Sequence, residues 1–221
     1  MRKWAITICF FGLVLMICSP AAGIKEDSTG VVFEATSDVS APEGNTTLDC
    51  IGAGVRKKWF VKVYACGFYM DAAYRTEQVA KWKERSPSIK KLHKQEEFFN
   101  QLVNDEYCRK FVLKFVRDVG GEKIGESFYE GIEENLPEIS SDTKLKEAAA
   151  AFVKLFDSDI KENDTIQLII FTNGKIEARQ NERILGSVEH PRLSVGLTAI
   201  YLGEECISDD LKEDLTRQFY K

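Results

Sequence analysis

The sequence is poor in proline, in histidine and in basic charge, and each shortage excludes a class of protein. Five prolines and 15 glycines are too few for collagen or a low-complexity polymer, and a hydrophobic fraction of 44% indicates a folded chain. The formal net charge is −5, so binding to nucleic acid through phosphate neutralisation is not expected. With 221 residues the chain is long enough to bury one good core, and we expect one domain.

The only long apolar run lies at the N-terminus and has the organisation of a secretory signal peptide. Arg2 and Lys3 precede an uncharged run over residues 4–18, and small residues suited to cleavage follow over 19–23. An uncleaved membrane anchor is the alternative, but the run is shorter than the ~20 residues that span a bilayer. We therefore predict a signal peptide over residues 1–22, no stable membrane span, and a location in the secretory pathway or outside the cell (periplasmic in a bacterial host).

Catalytic and metal-binding motifs are also scarce. The two histidines, His93 and His190, are not accompanied by the Gly-x-Ser-x-Gly motif of a serine hydrolase. No cysteine pair has zinc-ligand spacing, so we predict neither a metal site nor a cofactor. In an exported chain the cysteines beyond the signal peptide permit disulfides, and the sequence leaves their pairing open: Cys50, Cys66, Cys108 and Cys206.

Strands and helices are predicted in separate blocks rather than in strict alternation, which indicates an α+β protein with a largely antiparallel sheet. Strands are predicted at 31–35, 47–51, 59–70, 111–116, 165–171, 175–179 and 184–188. Helices are predicted at 77–84, 95–103, 124–136, after Asp142, from Pro191 to Gly203 and after Ser208. The predicted core contains Phe60, Phe68, Phe111, Leu113, Phe115, Phe128, Ile132, Phe152, Leu168, Ile170, Leu197 and Ile200.

One segment departs from this ordinary pattern. Residues 52–54 read Gly-Ala-Gly, residues 56–58 read Arg-Lys-Lys, and the strand that follows carries Tyr64 between apolar neighbours. Small residues let a backbone bend or be approached closely by another element. Taken alone, the segment is most simply a β-hairpin with a basic tip.

Residues 52–65 resemble the chalcone isomerase-like superfamily, most closely its exported members and the plant fatty-acid-binding branch. Further agreement lies in four segments, which are 115–119, 184–186, 200–203 and 208–212. The resemblance covers roughly residues 30–221 and implies one domain over that range. The implied fold is an open-faced β-sandwich, in which a layer of helices covers a large antiparallel sheet and a ligand cleft lies between them.

The superfamily contains enzymes that close the flavanone ring of a chalcone and binders of fatty acids that are not enzymes. The resemblance implies that the enzymes carry an Arg where Arg56 stands and a Thr where Tyr64 stands. The alignment places Ile124, Gly131 and Ile200 where the enzymes have Tyr, Asn, and Thr or Ser. Without those polar groups nothing orders the catalytic water or the phenolate, so the sequence leans against an enzyme and no catalytic residue is predicted.

The fatty-acid binders, by contrast, carry Arg and Tyr at the positions of Arg56 and Tyr64. An Arg holds a carboxylate through two charge-assisted hydrogen bonds, and a Tyr hydroxyl adds a third donor. The resemblance therefore implies an exported, non-enzymatic binder of a fatty acid or related amphipathic carboxylate, with Arg117 as a reserve cation. The alternatives are an intramolecular lyase of chalcone isomerase type and an accessory protein with a vestigial pocket.

The binding hypothesis requires Arg56 and Tyr64 to lie close together in the folded chain. On one straight strand, Arg56 and Tyr64 would lie ~26 Å apart, because each residue advances ~3.3 Å. They would then be unable to hold one carboxylate. The hypothesis therefore requires a turn near Lys57 and Lys58.

Overall fold

The computed structural model describes residues 23–41 and 44–221, and its main element is a seven-stranded antiparallel sheet. The strands are β1 (Ile24–Lys25), β2 (Val32–Phe33), β3 (Thr36–Ala41), β4 (Gly44–Lys58), β5 (Val61–Asp71), β6 (Arg109–Phe115), β7 (Thr165–Ile170), β8 (Lys175–Gln180) and β9 (Arg183–Glu189). The helices are α1 (Ala72–Arg85), α2 (Ile89–Leu92), α3 (Glu96–Asn104), α4 (Gly121–Asn135), α5 (Thr143–Val153), α6 (Pro191–Leu202) and α7 (Asp209–Phe219). The predicted signal peptide lies outside the described residues, and the predicted domain limits of 30–221 stay a prediction.

The sheet is a meander, since each strand from β3 to β9 pairs with the next along the chain. One face, here called the helix face, packs against the helices and forms the larger hydrophobic cluster. The other face, here called the ribbon face, carries a smaller cluster that includes Phe33 of the two-stranded β1–β2 ribbon. The predicted α+β class, with a large antiparallel sheet covered by helices, is confirmed.

Local sequence signals explain where several helices begin and end. The Asp142 carboxylate accepts a hydrogen bond from the backbone N–H of Leu145, and the Ser208 hydroxyl accepts one from Leu211, as N-cap residues do. Gly203 ends α6 as predicted. Within the described residues, no helix combines the length and apolar character that crossing a membrane requires.

The strand predicted over 59–70 is wrong at its start, and the predicted burial of Phe60 is wrong. β4 continues to Lys58, which pairs with Val61, so Trp59 and Phe60 form a two-residue hairpin loop. Their side chains are 87% and 98% exposed. Such a loop needs a left-handed residue at its tip, and Trp59 supplies it with φ +61°. Hydrophobicity gives no hint of this turn, whereas the other predicted core residues are buried.

Candidate functional site

The β4–β5 hairpin places Arg56 directly opposite Tyr64. The two residues are partners in the antiparallel register, and such partners have Cβ atoms about 4.5–5.5 Å apart. The turn that the binding hypothesis requires is present. It lies at Trp59 and Phe60, just beyond the predicted Lys57 and Lys58.

An extra residue in β4 decides which face of the sheet Arg56 occupies. The register shifts between Cys50 and Gly52, which makes Ile51 the bulged residue. Cys50 and Ala53 pack on the ribbon face, whereas Ile51 packs on the helix face. A one-residue insertion reverses the alternation of side chains beyond it. Without the bulge, Arg56 would share the face of Cys50 and point away from the helices.

The two glycines of the Gly-Ala-Gly run allow α7 to lie directly on β4. A Cβ atom on Gly54 would lie 2.5 Å from the backbone nitrogen of Leu211, and one on Gly52 would lie 2.9 Å from Cα of Leu215. No larger residue fits at either position without displacing the helix backbone. Farther along β4, Arg56 therefore emerges beside the N-terminal end of α7.

Arg56 and Tyr64 line a cavity of about 510 Å³ between the open end of the hairpin, α4 and α6. This volume lies within the ~300–1,000 Å³ typical of small-molecule sites. The inner wall is apolar and buried, with Ile124, Phe128 and Ile200. The mouth carries exposed charges of both signs, which are Lys58, Arg117, Asp118, Lys123, Glu126 and Glu130.

Arg56 is half-buried and makes no ion pair and no hydrogen bond to any residue in the described part of the chain. The hydroxyl groups of Tyr64 and Tyr201 lie 3.3 Å apart in the buried wall beside it. Burial raises the pKa of both tyrosines well above the ordinary value, and the charge of Arg56 opposes this shift. Both phenols therefore stay protonated, and one hydroxyl hydrogen of the pair remains for a ligand.

The structure brings the three predicted ligand-binding residues to one cavity, although in different settings. Arg56 and Tyr64 belong to its inner part, whereas Arg117 is exposed at the mouth, just after β6. Tyr201 is the residue that sequence reasoning missed. It extends the apolar stripe of Leu193 and Leu197 by one more turn of α6. Because this stripe is buried, the hydroxyl of Tyr201 requires a hydrogen-bond partner within the core. That these residues hold a ligand stays a prediction.

The three positions aligned with polar residues of the enzymes lie together in the apolar part. Ile124 and Ile200 line the cavity. A Cβ atom on Gly131 would lie 2.9 Å from Cγ1 of Ile200, so the packing of Ile200 leaves no room for a side chain there. This wall can exclude water from an alkyl chain, but it offers no donor or acceptor at these three positions.

Comparisons with known proteins agree with this architecture. A sequence model of the chalcone isomerase-like family matches residues 27–216. Among solved structures, the chain is similar to the crystal structure of a fatty-acid binding protein from Arabidopsis thaliana. The two share 22% sequence identity and a TM-score of 0.73, over 89% of this chain and 97% of the other. At that identity the likeness shows the fold alone. No curated protein matches the chain significantly.

Proposed function

The chain belongs to the chalcone isomerase-like family, and we propose that it binds a fatty acid or a related amphipathic carboxylate in the cavity beside Arg56. The observation that carries the proposal is the pairing of Arg56 with Tyr64 across the hairpin, at the edge of an apolar wall. A guanidinium that no described residue pairs with, next to a protonated phenol, is matched to one carboxylate. The likeness in fold to a fatty-acid binding protein supports the same ligand class.

The two ends of such a ligand would interact differently with the cavity. The carboxylate would accept two hydrogen bonds from Arg56 and one from Tyr64, in a place where burial strengthens them. The alkyl chain would pass along Ile124, Phe128 and Ile200, and each buried methylene contributes about 0.8 kcal/mol. The exposed cations Lys58 and Arg117 would attract the anion to the mouth of the cavity.

Titration of matched ligands against matched variants tests the proposal. A hydrogen bond to a charged group contributes about 1.5–3 kcal/mol, so Arg56→Ala should weaken a C12–C18 fatty acid by about ten- to a hundredfold. Tyr64→Phe should have a smaller effect, because the ring packing survives. Arg183→Ala, which removes an exposed arginine from β9, is the control and should leave the affinity unchanged.

The corresponding fatty alcohol separates charge recognition from structure. It should bind the wild type more weakly than the acid, and Arg56→Ala should scarcely affect it. An equal loss for acid and alcohol would show that Arg56 acts through folding. No binding of either ligand by the wild type would favour an accessory protein with a vestigial pocket.

We further propose that the protein is exported through the secretory pathway. The support is the charge and hydropathy pattern of residues 1–22, which is typical of a cleaved signal peptide. Expression with its own N-terminus in a eukaryotic cell, followed by N-terminal sequencing of the recovered protein, tests this. An intact Met1 on a protein retained in the cytosol would refute it.

A further inference from the structure

The tip of the β4–β5 hairpin, here called the hairpin tip and comprising residues 57–62, exposes three hydrophobic side chains in a row. Trp59, Phe60 and Val61 are 87%, 98% and 46% exposed. Other large hydrophobic side chains with comparable exposure in the described residues occur singly: Val32, Ile89 and Ile184. Contiguous exposed apolar surface is typical of a site that meets a partner.

The backbone of the hairpin tip supports the same conclusion. Two-residue hairpin loops favour Asn, Asp or Gly where φ is positive, and a bulky residue there is an outlier. Trp59 has φ +61°, yet its side chain is 87% exposed and gains little packing from the described residues. Strained residues of this kind cluster at functional sites, because the surrounding structure holds them for a purpose other than folding.

Three lysines flank the aromatic pair. Lys57 lies 3.6 Å from Asp210, Lys62 donates a hydrogen bond to the backbone carbonyl of Ser28, and Lys58 has no such partner among the described residues. The chain as a whole is acidic, with a net charge of −5, so this cluster is a local exception. Trp at the level of the headgroups and Lys next to anionic lipids are the two features that hold a protein on a membrane surface.

We propose that the hairpin tip docks on a bilayer surface that contains anionic lipid, with Trp59 and Phe60 inserted among the headgroups and the flanking lysines beside the lipid phosphates. Charge complementarity selects this partner, because cations surround the apolar side chains. Lys58 and Val61 belong both to the hairpin tip and to the mouth of the cavity. Docking therefore brings the cavity to the bilayer, where an acyl ligand would enter or leave; this last role rests on the proposed function, whereas docking does not.

Vesicle flotation without added fatty acid tests docking separately from ligand binding. The full chain is compared on phosphatidylcholine vesicles and on vesicles that also contain phosphatidylserine, so residues 1–22 are common to every sample. Each lysine near an anionic surface strengthens binding about fivefold, so replacing Lys57, Lys58 and Lys62 by Gln should reduce the preference for anionic vesicles by up to about a hundredfold. The matched control replaces Lys90, Lys91 and Lys94 by Gln, exposed lysines on and just after α2, and should have little effect.

A second pair of variants tests the aromatic side chains. Trp59→Ser with Phe60→Ser should reduce binding to both kinds of vesicle, whereas Val32→Ser with Ile184→Ser, which removes exposed apolar surface elsewhere, should not. An equal loss in either control set would mean that binding is a property of the whole surface, and the proposal would be wrong.

Fluorescence quenching locates Trp59 directly, whatever residues 1–22 do. In a chain with Trp4→Phe, lipids brominated near the headgroup should quench Trp59 strongly, while Trp82 is buried in the core and shielded. Adding Trp59→Phe should abolish the quenching. Absence of quenching in the presence of Trp59, on vesicles that hold the protein, would overturn the proposal.

Discussion

The two halves of the β4–β5 hairpin differ in how far the rest of the protein covers them. In the covered half, which lies under α7, small residues stand where the helix comes close, and Ile51, Phe68 and Met70 are fully buried. In the open half, beyond Arg56 and Tyr64, contacts from the rest of the described chain include those of Lys57 with Asp210 and of Lys62 with Ser28, while the side chains of Trp59 and Phe60 are in solvent. One end of a continuous strand pair is therefore packed for stability, and the other end is the one for which we propose a role in recognition.

A substitution of Gly54 in the covered half should cause the largest loss of stability among our predictions. In Gly54→Val, the new Cβ atom would lie 2.5 Å from a backbone atom of α7, which cannot move independently of its helix. Overpacking of this kind should lower the free energy of unfolding by ~3 kcal/mol or more. Denaturant unfolding measures it. Gly120→Ala is the control, because its new Cβ atom would lie 3.8 Å from the nearest atom, and it should lower the free energy of unfolding by at most about 1 kcal/mol. An equal loss in both variants would contradict the assigned role of Gly54.

Alkaline pH should lower the stability of the protein through buried titratable groups of β5 and α6. Burial raises the pKa of Tyr64, Tyr201 and Cys66 in the folded protein. When unfolded, these groups lose protons near pH ~10 for Tyr and ~8.5 for Cys. The native state therefore binds more protons at high pH, so their stabilisation is complete below pH ~8 and falls as pH rises further, by up to about 1.4 kcal/mol per pH unit and group.

Unfolding curves at pH 7, 9 and 10.5 would measure this slope. The double variant Tyr64→Phe, Tyr201→Phe should show a shallower decline above pH ~10, because the unfolded state then has fewer groups to ionise. A wild-type stability that stays constant to pH ~11 would show that these hydroxyls are accessible to water.

A smaller effect on stability is expected at the hairpin tip. Trp59→Gly relieves a positive φ that costs about 1–2 kcal/mol for an L-residue, but it adds about 0.5–1 kcal/mol of backbone entropy. The free energy of unfolding should change by no more than about 1 kcal/mol. Gly174→Ala, in the β7–β8 turn, should cost more, since φ is +80° and the new Cβ would lie 2.9 Å from Cα of Pro191. A strongly destabilised Trp59→Gly variant would mean that the hairpin tip has a folding role.

The last prediction is that the protein does not accelerate the cyclisation of a chalcone. The apolar wall of Ile124 and Ile200 holds no group to orient a water molecule or a phenolate, so a chalcone should not be cyclised faster than in buffer. An absorbance assay of chalcone loss would measure this. Saturable turnover that Arg56→Ala abolishes would instead establish an intramolecular lyase and place Arg56 in its active site.

Sequence reasoning predicted those parts of the fold that short local patterns determine. The helix starts predicted at Asp142 and Ser208 each rest on neighbouring residues, and both caps are present. The family resemblance indicated Arg56 and Tyr64, but not why they face the same cavity. That depends on the bulge at Ile51, which no local pattern reveals because β4 pairing is decided by β5 and α7 together.

Two other features of the site have the same origin. The contact between the hydroxyls of Tyr64 and Tyr201 joins residues 137 positions apart, and only the folded chain brings them together. The exposure of Trp59 and Phe60 contradicts their hydrophobicity, which predicts burial. Tertiary context decided both outcomes, and periodicity in a single sequence carries no information about it.

The packing of α7 on β4 has a consequence for the order of events during synthesis. The backbone N–H of Ala53 donates a hydrogen bond to the carboxylate of Asp214, a residue 161 positions later in the chain. A ribosome-bound chain that ends at β9 would contain Arg56 and Tyr64, but neither α6, which supplies part of the cavity wall, nor α7, which covers β4. Contacts of such long sequence separation form late and slowly. The glycine surface of β4 therefore stays uncovered for most of translation, and the cavity is completed only near the end.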